Sequence, residues 1–123
     1  VWNLEKAAQA AGFAAAQLGA PQENIDIAAR KVIVDAGYGP GYKTPGLPHR
    51  TGHGIGLDMH EWGNAVLGNK RPLVPGMCFS IEPTVAIPGE FGVRLEDCCY
   101  MSEDGPNWFS NPSVAIDDPF GDN

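Results

Sequence analysis

A chain of 123 residues has room for one domain at most. Its 43% hydrophobic content supplies a core, and its formal charge of -7 excludes nucleic acid and anionic membrane as partners, since both are gripped by basic patches. No apolar run is long enough to span a bilayer and no basic-then-apolar leader opens the chain, so a cytoplasmic protein is expected.

The chain starts at Val1-Trp2-Asn3 without an initiator Met, which reads as a processed product or a fragment. Residues 4–18 are Ala-rich, and Ala is the strongest helix former. Gly19-Ala20-Pro21 should end that helix. A second helix is expected over 25–36, capped by Asn24 or Asp26, with Gly37 just past its end. Ile25, Ala28, Ala29, Val32, Ile33 and Ala36 give it an apolar stripe. Residues 37–48, with Pro40, Pro45 and Pro48 among glycines, read as a loop. Strands are expected over 50–57, 78–87 and 92–101. The stretch 62–77 reads as irregular, and the tail from 104 onward as a surface wrap. Helices followed by strands give an α+β class rather than an alternating one.

The three histidines of the chain, His49, His53 and His60, all fall within the run His49-Arg50-Thr51-Gly52-His53-Gly54-Ile55-Gly56-Leu57-Asp58-Met59-His60-Glu61. In an extended strand Gly52, Gly54 and Gly56 share one face, with His53, Ile55 and Leu57 on the other. Three glycines on one face weaken a strand unless another backbone or a ligand comes close. Farther on, a hairpin through Ile87-Pro88-Gly89-Glu90-Phe91-Gly92 sets residues equally distant from Gly89 opposite each other. Glu82 then faces Glu96. Opposed carboxylates repel, and a bridging cation removes the conflict. Imidazole plus carboxylate suits Zn, Mn, Co or Fe, so the residues point to a metal-dependent hydrolase. Arg94 lies on the face of Glu96 and is a candidate to orient it. Asp58, Glu61 and Asp97 read as structural, and Trp2, Trp62 and Trp108 as packing residues. Cys78, Cys98 and Cys99, odd in number with two adjacent, read as buried free thiols of a reducing compartment.

At these residues the chain resembles the pita-bread metallopeptidases: Xaa-Pro aminopeptidase, Xaa-Pro dipeptidase (prolidase) and methionine aminopeptidase. The histidine run, Pro75-Gly76-Met77 before Ile81-Glu82-Pro83, and Arg94-Leu95-Glu96-Asp97 carry the resemblance, and Ile27-Ala28-Ala29-Arg30-Lys31 with Asp35-Ala36-Gly37-Tyr38-Gly39 extends it. His49 and Arg50 ahead of Thr51-Gly52-His53 favour the Xaa-Pro branch. The resemblance implies that residues 1–123 are the C-terminal half of a pita-bread catalytic domain, two helices followed by an antiparallel curved sheet, with the N-terminal half absent. It implies two divalent metal ions, Mn²⁺ or Co²⁺ foremost and Zn²⁺ or Fe²⁺ as alternatives. His53 would ligate one ion. Glu82 would ligate the same ion and act as general base, and Glu96 would bridge both. His60 would bond the scissile carbonyl, His49 would contact the substrate near its proline or carboxylate end, and Arg94 would support the carboxylates. The family's two remaining ligands are aspartates of the preceding half, which residues 1–48 do not supply; Asp26 and Asp35 fall in a helix.

The implied substrate is a short proline-containing peptide or dipeptide. Other partners are the missing half-domain and, because cutting a shared sheet exposes its edges, a further copy in a homo-oligomer. The chain alone is expected to be inactive. Two other readings remain: a metal-independent creatinase-like hydrolase, and a non-catalytic peptide- or protein-binding module. Retention of His53, Glu82 and Glu96 counts against both.

Overall fold

The structure, a computed structural model, describes residues 1–122. Two helices lead, α1 (Trp2–Ala15) and α2 (Glu23–Asp35). The strands that follow among the described residues are β1 (Gly52–Gly54), β2 (Glu61–Ala65), β3 (Cys78–Ile81), β4 (Thr84–Ile87), β5 (Phe91–Arg94), β6 (Asp97–Ser102) and β7 (Gly105–Trp108). They form one sheet in the order β2-β1-β3-β6-β7 and a two-stranded sheet of β4 and β5, all pairs antiparallel. The expected α+β class holds. No helix among the described residues is long and apolar enough to cross a membrane.

The first helix stops at Ala15, earlier than Gly19 suggested, because Ala16 N–H turns to Phe13 O and closes the last turn tightly. The second begins at Glu23, and neither Asn24 nor Asp26 caps it. Its free N-terminal donors have other partners: Gln22 N–H bonds Arg71 O at 2.9 Å and Glu23 N–H bonds Asn69 O at 3.0 Å. A neighbouring loop thus does the work of a capping side chain. That leaves Asp26 buried inside the helix, where it accepts from Arg30 and from Thr51 Oγ1 at 2.7 Å. At the other end Gly37 takes φ 99°, the left-handed conformation that stops a helix cleanly.

Small residues let the helices lie close together. Ala8 and Gly12 of the first, with Ala16 just past its end, meet Ile25, Ala29 and Ile33 of the second, and a Cβ on Gly12 would lie 3.4 Å from Ile25. The helices cover one face of the sheets. Phe79, Ile81, Cys99 and Met101 pack beneath them with Ile25 and Leu73, and Val85 packs with Ile33, Ala29 and Leu47. Strand residues alternate faces, so odd positions in β3, β4 and β6 serve the core. Even positions, including Ser80, Glu82 and Thr84, emerge on the opposite face.

The register is the one the turn at Gly89 predicts. Ile87 pairs with Phe91 and Thr84 with Arg94 in the small sheet; Ile81 pairs with Asp97 and Cys78 with Tyr100 in the large one. Each expected long strand nevertheless divides in two. Pro83 has no N–H for the ladder, and Glu82 N–H leaves it for Thr51 O at 2.6 Å. The chain therefore changes sheets at Glu82-Pro83 on one arm and at Leu95-Glu96 on the other. The expected strand 50–57 contracts to three residues. The irregular stretch contains β2, and the tail contains β7. Trp62 is 91% exposed, contrary to a packing role, whereas Trp108 stacks on Phe13 at 4.3 Å.

Candidate metal centre

The strand that carries His53 is hemmed in on both sides. A Cβ on Gly52 would fall 2.0 Å from Ser80 O, and one on Gly54 would fall 1.9 Å from Trp62 O. Only glycine lets β1 thread between β2 and β3 this closely, which accounts for the glycines around His53. The histidine is buried, with its backbone N–H on Ser80 Oγ at 3.0 Å. Its ring Nδ1 faces Gly54 O at 2.9 Å, so Nδ1 carries the hydrogen and donates it. Nε2 is then left to face Glu82 Oε1 at 2.7 Å.

Glu82 is buried at the point where the strands change sheets, and Ser80 Oγ donates to its Oε1 at 3.1 Å. Glu96 comes from the other arm of the hairpin and is exposed. Donor atoms of His53, Glu82 and Glu96 all lie within 4.8 Å of one another, and among the described residues this is the one His/Cys/Asp/Glu group so arranged. Two carboxylates and an imidazole converging on one point fit a divalent cation of the Mn, Co, Zn or Fe kind. Three donors do not close a coordination shell, so the set also has room for ligands from elsewhere.

Arg94 sets the rim. Its Nε donates to Thr84 Oγ1 at 2.9 Å, its Nη2 approaches His49 Nε2 at 3.3 Å, and its Nη1 lies 3.7 Å from Glu82 Oε2. A guanidinium only donates, so His49 Nε2 is an acceptor there. Nδ1 of that ring holds the hydrogen and donates to Arg50 O at 2.5 Å. Thr84 hydroxyl completes the relay to His49 Nε2 at 2.9 Å. Arg30 steadies the same loop from α2, donating to Leu47 O at 2.7 Å and His49 O at 2.8 Å.

His60 lies exposed beyond the strand, its ring tilted against that of His53 with centroids 4.3 Å apart. His49, Arg50, His60, Glu82 and Arg94 line a cleft of about 410 Å³ above the ligands. All six site residues expected from the sequence therefore gather in one place. A larger cavity of about 560 Å³ opens at the far end of β1, lined mainly by Leu57, Trp62, Leu73, Met77 and Phe79. It lacks the ligand set.

Sequence reasoning missed Ser80 and Thr84. Their signal was present: both share the even-numbered face with Glu82. The thiols are not all buried as expected, since Cys78 and Cys98 are half-buried and only Cys99 is fully enclosed. Burial, then the nearby Glu96 and Asp97 charges, push the Cys98 thiol up, and burial does the same to Cys99. Neither is primed as a nucleophile.

Comparison with known proteins gives the family of the chain. The profile of metallopeptidase family M24 matches residues 1–103. An Xaa-Pro dipeptidase of Lactobacillus delbrueckii subsp. lactis is 43% identical over 116 residues, 94% of this chain and 30% of that protein. A dipeptidase from Pyrococcus horikoshii OT3 superposes with a TM-score of 0.82 at 38% identity, over 90% of this chain and 30% of that one. The Xaa-Pro dipeptidase from Bacillus anthracis superposes at 0.84 and 32% identity, over 94% and 32%. The chain thus spans under a third of the length of these relatives.

Proposed function

The chain belongs to metallopeptidase family M24, and on that premise we propose that it is the C-terminal half of the catalytic domain of an Xaa-Pro dipeptidase or Xaa-Pro aminopeptidase. The reaction is hydrolysis of a peptide bond next to proline in a short peptide. The observation that carries this reading is the convergence of His53, Glu82 and Glu96 within 4.8 Å beside an open cleft.

His53 Nε2 and the carboxylates of Glu82 and Glu96 would hold divalent cations, Mn²⁺ or Co²⁺ foremost, with further ligands from the preceding half-domain. Cations bound there would acidify a water and neutralise negative charge as it develops. The chain's own groups do the rest. Glu82 takes the proton of the attacking water on a carboxylate oxygen and hands it to the leaving amine. Ser80 fixes which oxygen of Glu82 faces His53. Arg94 holds the other side of that carboxylate and, with Thr84, keeps His49 turned into the cleft. His60, exposed over His53, is free to donate to the scissile carbonyl. His49 and Arg50 flank the end where a proline or a terminal carboxylate would lie.

Three free thiols support a reducing, cytoplasmic setting. Leu57, Met59 and Trp62, all exposed, support self-association of the isolated chain, to be checked by sedimentation. The functional test is metal content by elemental analysis after incubation with Mn²⁺ or Co²⁺ and desalting, with wild type beside His53→Ala. The expected result is one retained ion per chain in wild type and none in the variant. Equal retention by both, or none by wild type, overturns the ligand assignment, and two tightly held ions point to a second copy as the source of the missing ligands.

A further inference from the structure

Helix α1 carries a stripe that faces the sheets, and two of its buried members are polar. Glu5 and Gln9 are one turn apart, 0% and 2% exposed. Both reach the same place. Glu5 Oε1 accepts from Leu95 N–H at 3.4 Å, while Gln9 Nε2 donates to Leu95 O at 3.3 Å and to Asp97 Oδ2 at 2.7 Å. The helix therefore grips both backbone groups of the residue before Glu96 and the side chain of the residue after it.

This grip answers a defect in the strands. Leu95 lies between β5 and β6, outside both ladders. The shared register sets Pro83 opposite it, and proline has no N–H to offer the Leu95 carbonyl. A buried backbone group left unpaired is costly, and α1 supplies the partners that the sheet lacks. Holding residues 95 and 97 on the helix side also turns residue 96 to the opposite face. Glu96 is exposed, so its aim depends on its backbone.

We infer that Glu5 and Gln9 are positioning residues for the site: a clamp from α1 that fixes the Leu95–Asp97 corner and presents Glu96 to a cation shared with His53 and Glu82. This rests on the metal-centre reading above and adds to it two residues remote from the ligands, acting from the far side of the sheet.

The test is Co²⁺ titration of the chain, followed by visible absorption, together with amide hydrogen exchange at Leu95. The variants are Glu5→Met, Gln9→Met, the conservative Glu5→Gln, and His53→Ala. Glu5→Met and Gln9→Met are expected to weaken Co²⁺ binding by about tenfold, the usual scale for groups that orient a ligand. Glu5→Met is also expected to speed exchange of the Leu95 amide. Glu5→Gln, which keeps the accepting oxygen, should match wild type in both readouts. A merely structural role would lower the melting temperature yet leave Co²⁺ affinity unchanged at temperatures where the variant is fully folded. That result, or an unaltered Leu95 exchange rate in Glu5→Met, overturns the clamp. Should Glu5→Met fail to fold, Gln9→Met carries the affinity test. If His53→Ala binds Co²⁺ as wild type does, or wild type binds none, the metal-centre reading fails instead, and Leu95 exchange still decides whether the clamp exists.

Discussion

Glu5 makes a quantitative test of the packing around α1. Its side chain is fully buried, and Oε2 has no hydrogen-bond partner. Burial pushes its pKa from 4.5 up to about 8, against smaller opposing pulls from Leu95 N–H and the Arg94 charge. Between those two values the folded chain holds this proton and the unfolded chain releases it. Stability from this group is therefore greatest at low pH and falls as pH rises toward 8. Each pH unit in the middle of that window costs about 1.4 kcal/mol, which amounts to about 3 kcal/mol between about pH 5 and pH 8. That is a large share of the total for a domain this size. Glu5→Gln keeps the shape and cannot ionise, so it should remove this slope and be the more stable protein at pH 8. The assay is urea unfolding followed by tryptophan fluorescence at closely spaced pH values, with both proteins in the same buffers. Glu23, whose pKa is lowered chiefly by the hydrogen bond from Lys70, works in the opposite direction and below the window. It contributes stability at pH values above the ordinary carboxylate range and loses it as pH falls, identically in both proteins. Parallel pH curves for wild type and Glu5→Gln would refute the reasoning.

Gly54→Ala puts a Cβ where Trp62 O already lies, 1.9 Å away. Parting β1 from β2 should cost about 3 kcal/mol or more, read from the shift in urea midpoint; a variant within error of wild type would show that the strands are not packed this closely.

The hairpin register is legible because Pro88-Gly89 marks the turn and alternation does the rest, which sets Glu82 opposite Glu96. The division of the strands was harder to read, although Pro83 was in plain view. It needs the knowledge that Glu82 N–H has Thr51 O as an alternative partner, a contact from distant sequence. Strand β2 escaped notice because Glu61-Trp62-Gly63-Asn64-Ala65 has weak strand propensity; pairing with β1 imposes the extended form. Asp26 read as a cap because Asp is good at that task, and only the loop at 69–71 shows that the caps were supplied elsewhere. Glu5 and Gln9 were invisible to a search for apolar periodicity, which passes over buried polar residues by construction of the pattern.

The fixed register of the long hairpin also bears on which changes of chain length the molecule tolerates. One residue added to a single arm between Glu82 and the turn exchanges the core face for the site face along everything beyond it. It would turn Val85 away from Ile33 and Leu47 and bring Thr84 or the added residue in its place. Residues added at the tip, between Ile87 and Phe91, leave every pair as it was. Insertions and deletions in descendants of this gene should accordingly collect at the tip, or arrive in matched pairs across the two arms.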